Sequence, residues 1–216
     1  MSANKDTGFK KLFNPLEEKT LSVAEKLEVQ KFLAGKSVAT VKGGIFTANS
    51  KSEAEKLAIK LTKNIMKTYK RDDIGKIDFN TRGIKNTISK GFNQKKLDAF
   101  FAIPTVIEKG KILKIEKDIS EEINREKPNK PQVNVFIAAP IQIGDDKDIL
   151  FIRLRQNAGD TTRFYVHEVF NKKEIDEYIK MTIPTAAGTQ ATNSKVRPHG
   201  GIATYIKILK DIFDVK

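Results

Sequence analysis

Two extended segments joined by a short polar turn occupy residues 149–170 of the chain. β-Branched and aromatic residues alternate with polar ones on both sides of residues 157–160, which is the pattern of a β-hairpin. Because successive side chains on a strand point to opposite faces, each strand gains one largely apolar face. That face holds Leu150, Ile152 and Leu154 on the first strand, and Phe164, Val166 and Glu168 on the second. The pattern therefore predicts a hairpin that packs one of its faces against a core.

The opposite face of this predicted hairpin collects cationic and aromatic side chains. It carries Arg153 and Arg155 from the first strand, and Arg163, Tyr165 and His167 from the second. Strict alternation places no carboxylate among them, and burying three guanidinium groups without acidic partners would be costly. We therefore expect an open surface that binds a polyanion.

The composition excludes several classes of protein. The 216 residues include no cysteine and only two histidines, which excludes disulfides and thiolate metal sites and argues against a histidine-rich zinc site. Neither a phosphate-binding GxxxxGK[ST] motif nor a GxGxxG motif occurs, so no cofactor is expected. No segment approaches the roughly 18 consecutive apolar residues of a membrane span, and the N-terminus lacks the apolar segment of a secretory signal. We expect a protein of the host or recipient cytoplasm without a membrane partner.

The formal net charge of +13 is the strongest compositional signal. One interpretation is a lysine-rich, solvated surface with no specific role. The other is a positive field that attracts RNA or DNA and makes binding depend steeply on salt. Charge alone does not choose between these interpretations.

Local signals predict how the chain is organised. Ser22 and Glu25 form a capping-box pattern at the start of a helix, residues 42–44 resemble a hairpin turn, and Ser50 or Ser52 begins a second helix. A polar break follows this region. We predict a flexible arm at 1–20, a helix–hairpin–helix region at 21–72, and a domain at 73–216 with a long loop at 184–201.

The second half of the chain alternates short helical and extended patterns. A helix with Leu97, Phe100, Phe101 and Ile103 facing inward precedes Pro104, which suits the first turn of another helix, and Gly110, which ends it. Strands are predicted at 111–116 and 133–143. The last helix is expected to bury Ile202, Ile206, Leu209 and Phe213.

Four segments carry a resemblance to a known family: residues 83–91, 97–112, 135–143 and 163–169. Over about residues 76–171 the chain resembles the large polyvalent-protein-associated domains of phages and mobile elements, which are grouped with phage nucleases of the barnase, EndoU, colicin and RelE type. The resemblance implies an α+β fold, with helices packed on one face of an antiparallel sheet. The local signals described above add an N-terminal hairpin and helix appended to this fold. The resemblance also implies a metal-independent ribonuclease, and it associates a histidine with the position of Lys90.

Several residues have the chemical properties that RNA cleavage requires. Cleaving RNA without a metal needs a proton acceptor, a proton donor and positive charge beside the phosphorane. His167 fits the acid or base because its unperturbed pKa is near neutrality. The catalytic candidates are His167, Arg153, Tyr165 and Lys90, and the nucleic-acid-binding candidates are Arg155, Arg163, Lys85, Lys195, Arg197 and His199. His199 and Thr204 are further candidates for the partner of His167.

Three functional classes stay open at this point. The first is an endoribonuclease that acts on RNA rather than DNA. The second is a non-catalytic phage module that binds nucleic acid or an acidic host partner, as an anti-defence inhibitor or a DNA-escort protein would. The third is a toxin-like effector with a neutralising protein partner. A purely structural role for a lone strand histidine is the alternative to all three.

Overall fold

The computed structural model describes residues 16–117, 131–157, 160–182 and 200–214. The strands in these ranges are β1 (Lys19–Thr20), β2 (Ala39–Val41), β3 (Thr68–Arg71), β4 (Gly75–Asp78), β5 (Lys111–Lys117), β6 (Pro131–Ile143), β7 (Asp146–Asn157) and β8 (Asp160–Asn171). The helices are α1 (Val23–Ala34), α2 (Lys51–Thr62), α3 (Thr81–Ser89), α4 (Gln94–Asp98), a 3₁₀ helix (Ala99–Ala102), α5 (Ile103–Lys109), α6 (Lys172–Thr182) and α7 (Gly200–Phe213). The predicted α+β class is confirmed.

The strands form a single sheet in the order β1-β5-β6-β7-β8-β4-β3, and β2 pairs with the end of β6. The long antiparallel ladder runs through β5, β6, β7 and β8. The β2–β6 and β4–β8 pairs are parallel. The sheet is therefore mixed, with the expected antiparallel ladder at its centre and two parallel pairs that were not expected.

Helices cover both faces of this sheet, whereas one covered face was predicted. The first face packs against α2, α3, α4, the 3₁₀ helix and α5, and the second face packs against α1, α6 and α7. The cause lies in the central strands, which are apolar on both sides. On β7, for example, Ile152 belongs to the first core and its neighbour Phe151 to the second. Burying both faces removes this apolar surface from water.

Helix-capping signals in the sequence give the helix boundaries correctly. Ser22 caps α1 with the predicted capping box, and Gly35 follows its last residue. The side chain of Ser50 accepts a hydrogen bond at the start of α2. Pro104 lies in the first turn of α5, which ends at Gly110. These local hydrogen bonds need no tertiary contact, which is why the sequence predicts them.

The predicted hairpin around residues 42–44 does not form. β2 leads into a turn, but the backbone N–H groups of the residues after the turn donate hydrogen bonds to a side chain and not to β2. Buried Asp98 accepts backbone N–H bonds from Gly44, Ile45 and Phe46 at 2.8, 2.9 and 3.1 Å. Because these donors are occupied, the segment cannot form a returning strand. β2 pairs with β6 instead.

The last helix, α7, is rotated relative to the face expected from its sequence. Its buried residues are Ile202, Tyr205, Ile208 and Ile212. Of the predicted set, Ile206 and Leu209 are only partly buried, and Phe213 is 51% exposed. The Tyr205 ring packs against three phenylalanine rings of the sheet, Phe136, Phe151 and Phe170, with centroids 5.1, 5.3 and 5.5 Å away. This aromatic contact sets the rotation of the helix.

A buried ion pair connects the helical layers. The ammonium group of Lys96 lies 2.9 Å from the carboxylate of Glu174 on α6, and it also donates to the carbonyl of Gly91 just after α3. Burial raises the pKa of Glu174, and the charge of Lys96 opposes that shift. The pair holds the C-terminal end of α3 against α6.

The predicted division between residues 72 and 73 falls within a hairpin, since β3 and β4 pair across it. Ala54 and Ala58 of α2 share one core with β6 and β7. Among the described residues, no helix combines the length and apolar composition needed to cross a membrane. The division into domains stays a prediction, and most of the loop predicted at 184–201 lies outside the described residues.

Candidate functional site

The hairpin predicted at residues 149–170 is present as β7 and β8. Its first face is buried in the core as expected, with Leu150, Ile152, Leu154, Phe164 and Val166 all in one cluster. On the other side, Arg155 lies opposite Tyr165 across the two strands. The split between apolar and cationic faces is therefore correct for β7 and for the first half of β8.

A β-bulge interrupts the alternation in β8. Arg153 lies opposite Glu168, whereas the next residue, Leu154, lies opposite Val166, so His167 is an extra residue in β8. An extra residue shifts the strand by one position and reverses the faces beyond it. Glu168 therefore lies beside Arg153. The prediction that the cationic face lacks a carboxylate is wrong.

α3 lies alongside β8 at unusually short range. Residues 163–165 of β8 pair with β4, and α3 lies beside the rest of β8. Gly83 makes this approach possible, because a Cβ atom there would lie 2.2 Å from the carbonyl oxygen of Val166. The backbone N–H of Val169 also donates to Thr87 Oγ1 at 3.2 Å. Helix and strand are thus fixed to each other.

Two rows of side chains face each other across this contact. Residues four apart on a helix share a face, so Arg82, Asn86 and Lys90 form a row on α3. Each meets one residue of β8: Arg82 lies 4.7 Å over the Tyr165 ring, Asn86 lies 3.0 Å from His167, and Lys90 lies 3.8 Å from Glu168. β7 adds Arg153 and Arg155. We call these eight residues the cationic site.

Glu168 lies at the inner end of the cationic site. Its side chain is 2% exposed, and its two oxygens lie 3.8 Å from Lys90 and 3.6 Å from Arg153. Arg153 Nε also donates to the Asn134 amide oxygen at 3.1 Å, and its guanidinium lies over the Phe136 ring. Arg153 is thus held in place by a buried carboxylate. The sequence predicted that Arg153 would be open to solvent, and that prediction is wrong.

His167 is hydrogen-bonded through both ring nitrogens. Nε2 lies 3.0 Å from Arg155 Nη1, and Nδ1 lies 3.0 Å from the side-chain amide of Asn86. Because a guanidinium can only donate, Nε2 must be the acceptor and Nδ1 carries the proton of the neutral ring. The amide nitrogen of Asn86 faces Nδ1, so the amide must be turned for its oxygen to accept from Nδ1–H. The bond from Arg155 favours a neutral imidazole, because a protonated Nε2 could not accept it.

The charge state of His167 follows from its surroundings. Burial, followed by the charges of Arg155, Arg153, Lys90 and Arg82, lowers the pKa of His167 from 6.5 to about 3. Because four cations lower this pKa, the electrostatic potential at the ring is positive although Glu168 lies nearby. At neutral pH His167 is an uncharged proton acceptor and not a proton donor.

The lowered pKa of His167 predicts acid sensitivity. Between pH 6.5 and about 3 the unfolded chain binds a proton that the folded chain does not. The free energy of unfolding should therefore fall as the pH is lowered, by up to about 1.4 kcal/mol per pH unit. His167→Gln should reduce the dependence of the unfolding free energy on pH, measured by urea unfolding at several pH values.

NMR of the histidine ring measures the pKa of His167 directly. His199→Gln leaves His167 as the single histidine, and its ring signals should stay constant from about pH 8 to about pH 5. A titration midpoint near the usual histidine pKa would contradict the prediction.

The other predicted site residues lie apart from the cationic site or outside the described residues. Arg163 is half exposed at the start of β8, 3.7 Å from Asp78, and Lys85 pairs with Glu55 of α2 at 3.1 Å. Thr204 is half-buried on α7. Lys195, Arg197 and His199 lie outside the described residues. The structure thus brings together His167, Arg153, Arg155, Tyr165 and Lys90 from the sequence prediction.

Three members of the cationic site were missed by the sequence analysis. Arg82 and Asn86 had a detectable signal, because their spacing with Lys90 repeats every four residues, as it does on one face of a helix. No sequence signal identified Glu168, because strict alternation predicted it on the apolar face with Phe164 and Val166. Within the described ranges, no three histidine, aspartate or glutamate side chains group as a metal site would require.

Comparison with known proteins gives one match. No curated protein and no solved structure matches the chain. A family model, Large polyvalent protein-associated domain 3, matches residues 48–165, which is more than half of the chain. The match runs from α2 to Tyr165 in β8 and includes the α3 row and both arginines of β7. The chain therefore belongs to the family of large polyvalent protein-associated domain 3.

Proposed function

We propose that this protein binds nucleic acid through the cationic site. The observation that carries the proposal is the grouping of Arg82, Lys90 and Arg153 in a site that holds one carboxylate, Glu168, which leaves a positive potential there. Such a potential attracts phosphate groups. Arg82 is exposed and Lys90 is 32% exposed, so these two side chains are within reach of a strand at the surface.

Binding should depend on salt through these two residues. We expect the Arg82→Gln/Lys90→Gln double variant to bind single-stranded RNA and DNA more weakly. The slope of log affinity against log salt should fall by about 1.4, which corresponds to two lost phosphate contacts on a single strand. Fluorescence anisotropy with labelled RNA and DNA of one sequence at several salt concentrations measures both effects.

A double variant of the same net charge serves as the control. Lys60 is exposed on α2, and Lys85 is paired with Glu55, so Lys60→Gln/Lys85→Gln removes two charges away from the cationic site. It should retain the salt slope of the unmodified chain. Equal slopes in the two double variants would assign binding to dispersed charge. Absence of binding to both nucleic acids at low salt would refute the proposal.

Metal-independent cleavage of RNA is the second candidate function. The observation that favours it is the unprotonated Nε2 of His167, which lies 3.0 Å from Arg155 in the same site as Arg153 and Lys90. In this reaction Arg155 turns from His167 Nε2 to the phosphate. The RNA 2′-oxygen then attacks the phosphorus as its proton passes to Nε2, and the 5′-oxygen leaves with a proton from Lys90. The arginines stabilise the charged phosphorane. The products are a 2′,3′-cyclic phosphate and a 5′-hydroxyl.

The same RNA samples separate cleavage from binding. A nuclease should cut the RNA in EDTA, leave a 2′,3′-cyclic phosphate, and lose this activity in His167→Ala while binding is retained. RNA that is bound but stays intact over hours would leave binding as the function and remove cleavage.

A further inference from the structure

We propose that two copies of this chain associate through an apolar groove between α6 and α7, with Phe213 of each copy seated in the groove of the other. The inference does not depend on the proposed nucleic-acid binding, because the described residues that line the groove include none of the cationic site. Two observations support it: the groove lies beside a projecting aromatic ring, and the charges around it are balanced.

The groove has apolar walls and a volume of about 320 Å³. Its apolar lining consists of Ile149 and Phe151 of β7, Ile175 of α6, and Ile206, Leu209 and Phe213 of α7. It lies between the first turns of α6 and the last turns of α7, whereas residues 183–199 join the opposite ends of these helices. Ile206 and Leu209 are only partly buried. Covering such a surface removes apolar atoms from water and favours association.

Phe213 projects at the edge of this groove. Its side chain is 51% exposed, and it is the aromatic member of the exposed large apolar side chains in the described ranges, the others being Val23 and Leu27. A two-fold axis brings the same surface of two copies together, so a ring beside a groove becomes complementary to itself. Each ring then enters the groove of the other copy. Aromatic side chains that fill a pocket in this way contribute strongly to interfaces.

The charges around the groove favour a second copy as its occupant. Lys172 and Lys210 are balanced there by Asp176 and Asp214, although the whole chain carries a net charge of +13. Copies of so basic a chain repel each other, and a balanced surface removes that repulsion locally. Nucleic acid and strongly acidic proteins, by contrast, are attracted to the basic surfaces elsewhere on the chain.

One pair of these charges is suited to bonding between copies. Lys172 and Asp176 pair within a single copy. Lys210 and Asp214 are exposed beside Phe213. Two-fold symmetry lets Lys210 of each copy meet Asp214 of the other, which gives two equivalent ion pairs across the contact.

Sedimentation equilibrium of the full chain at several concentrations tests the association. We expect the average mass to rise towards that of two chains. Phe213→Glu should raise the dissociation constant at least about tenfold, because a charge replaces the ring in an apolar groove. Val23→Glu is the matched control, since Val23 is 61% exposed on α1 and makes the same change of charge away from the groove. It should dimerise as the unmodified chain does.

Exchanging the charges tests the two-fold geometry. Lys210→Asp alone sets aspartates against each other across the contact, and Asp214→Lys alone sets lysines against each other, so each variant should associate more weakly with itself. An equal mixture should restore the association, because each aspartate then meets a lysine. A mixture that associates no better than the separate variants would overturn the two-fold arrangement.

Two results would overturn the inference as a whole. An unmodified chain that stays monomeric up to about 100 μM would leave the groove to an occupant of another sequence. Dimers that form equally well with Phe213→Glu would place the contact on a different surface.

Discussion

Asp98→Ala is expected to lower the free energy of unfolding by about 3–5 kcal/mol. The buried carboxylate accepts hydrogen bonds from three consecutive backbone N–H groups at residues 44–46. Without it the buried N–H of Phe46 and the half-buried N–H of Ile45 lose their partner, and an unsatisfied buried polar group costs about 1–3 kcal/mol. Part of this cost is recovered where the loop reaches water. Urea unfolding of the variant and the unmodified chain measures the difference.

Asp98→Asn is the control for this prediction. The amide keeps an oxygen in place of Oδ1, which accepts from Ile45 and Phe46, and it loses only the acceptor for Gly44. We expect a loss of about 1–2 kcal/mol. If the alanine and asparagine variants were equally stable, the backbone bonds at residues 44–46 would not be the source of the stabilisation.

Gly83→Ala is expected to destabilise the chain by about 3 kcal/mol and to weaken nucleic-acid binding as well. The new Cβ would lie 2.2 Å from the carbonyl oxygen of Val166, so α3 must move away from β8. Overpacking of this kind typically costs about 1–3 kcal/mol, and backbone atoms cannot yield as a flexible side chain does. The movement also separates Arg82 and Asn86 from their β8 partners.

Urea unfolding and fluorescence anisotropy measure the two effects of Gly83→Ala. Gly43→Ala is the matched control, because its new Cβ would have no atom nearer than 3.6 Å, which is ordinary van der Waals contact. That variant should stay within about 1 kcal/mol of the unmodified chain and bind normally. A Gly83→Ala chain with unchanged stability would show that α3 and β8 do not need this close contact.

Chain-local signals account for the parts of the fold that were predicted. The caps of α1 and α2, the first turn of α5 and the β7–β8 hairpin depend on neighbouring residues and on alternation. The hairpin near residues 42–44 was mispredicted because a distant side chain, Asp98, takes its backbone donors. The rotation of α7 was mispredicted for a related reason, since Tyr205 packs against rings that come from three strands.

The sequence by itself determined that one side of β7 is apolar and that the other side carries its two arginines, because side-chain direction along a regular strand has a fixed period. Only the tertiary structure decided what the cationic side contains. A single extra residue at His167 turns Glu168 towards Arg153, and the close approach of α3 at Gly83 brings Lys90 to the same carboxylate. A bulge forms through pairing with the neighbouring strand and through packing against a helix, and neither is encoded in the local alternation of residues.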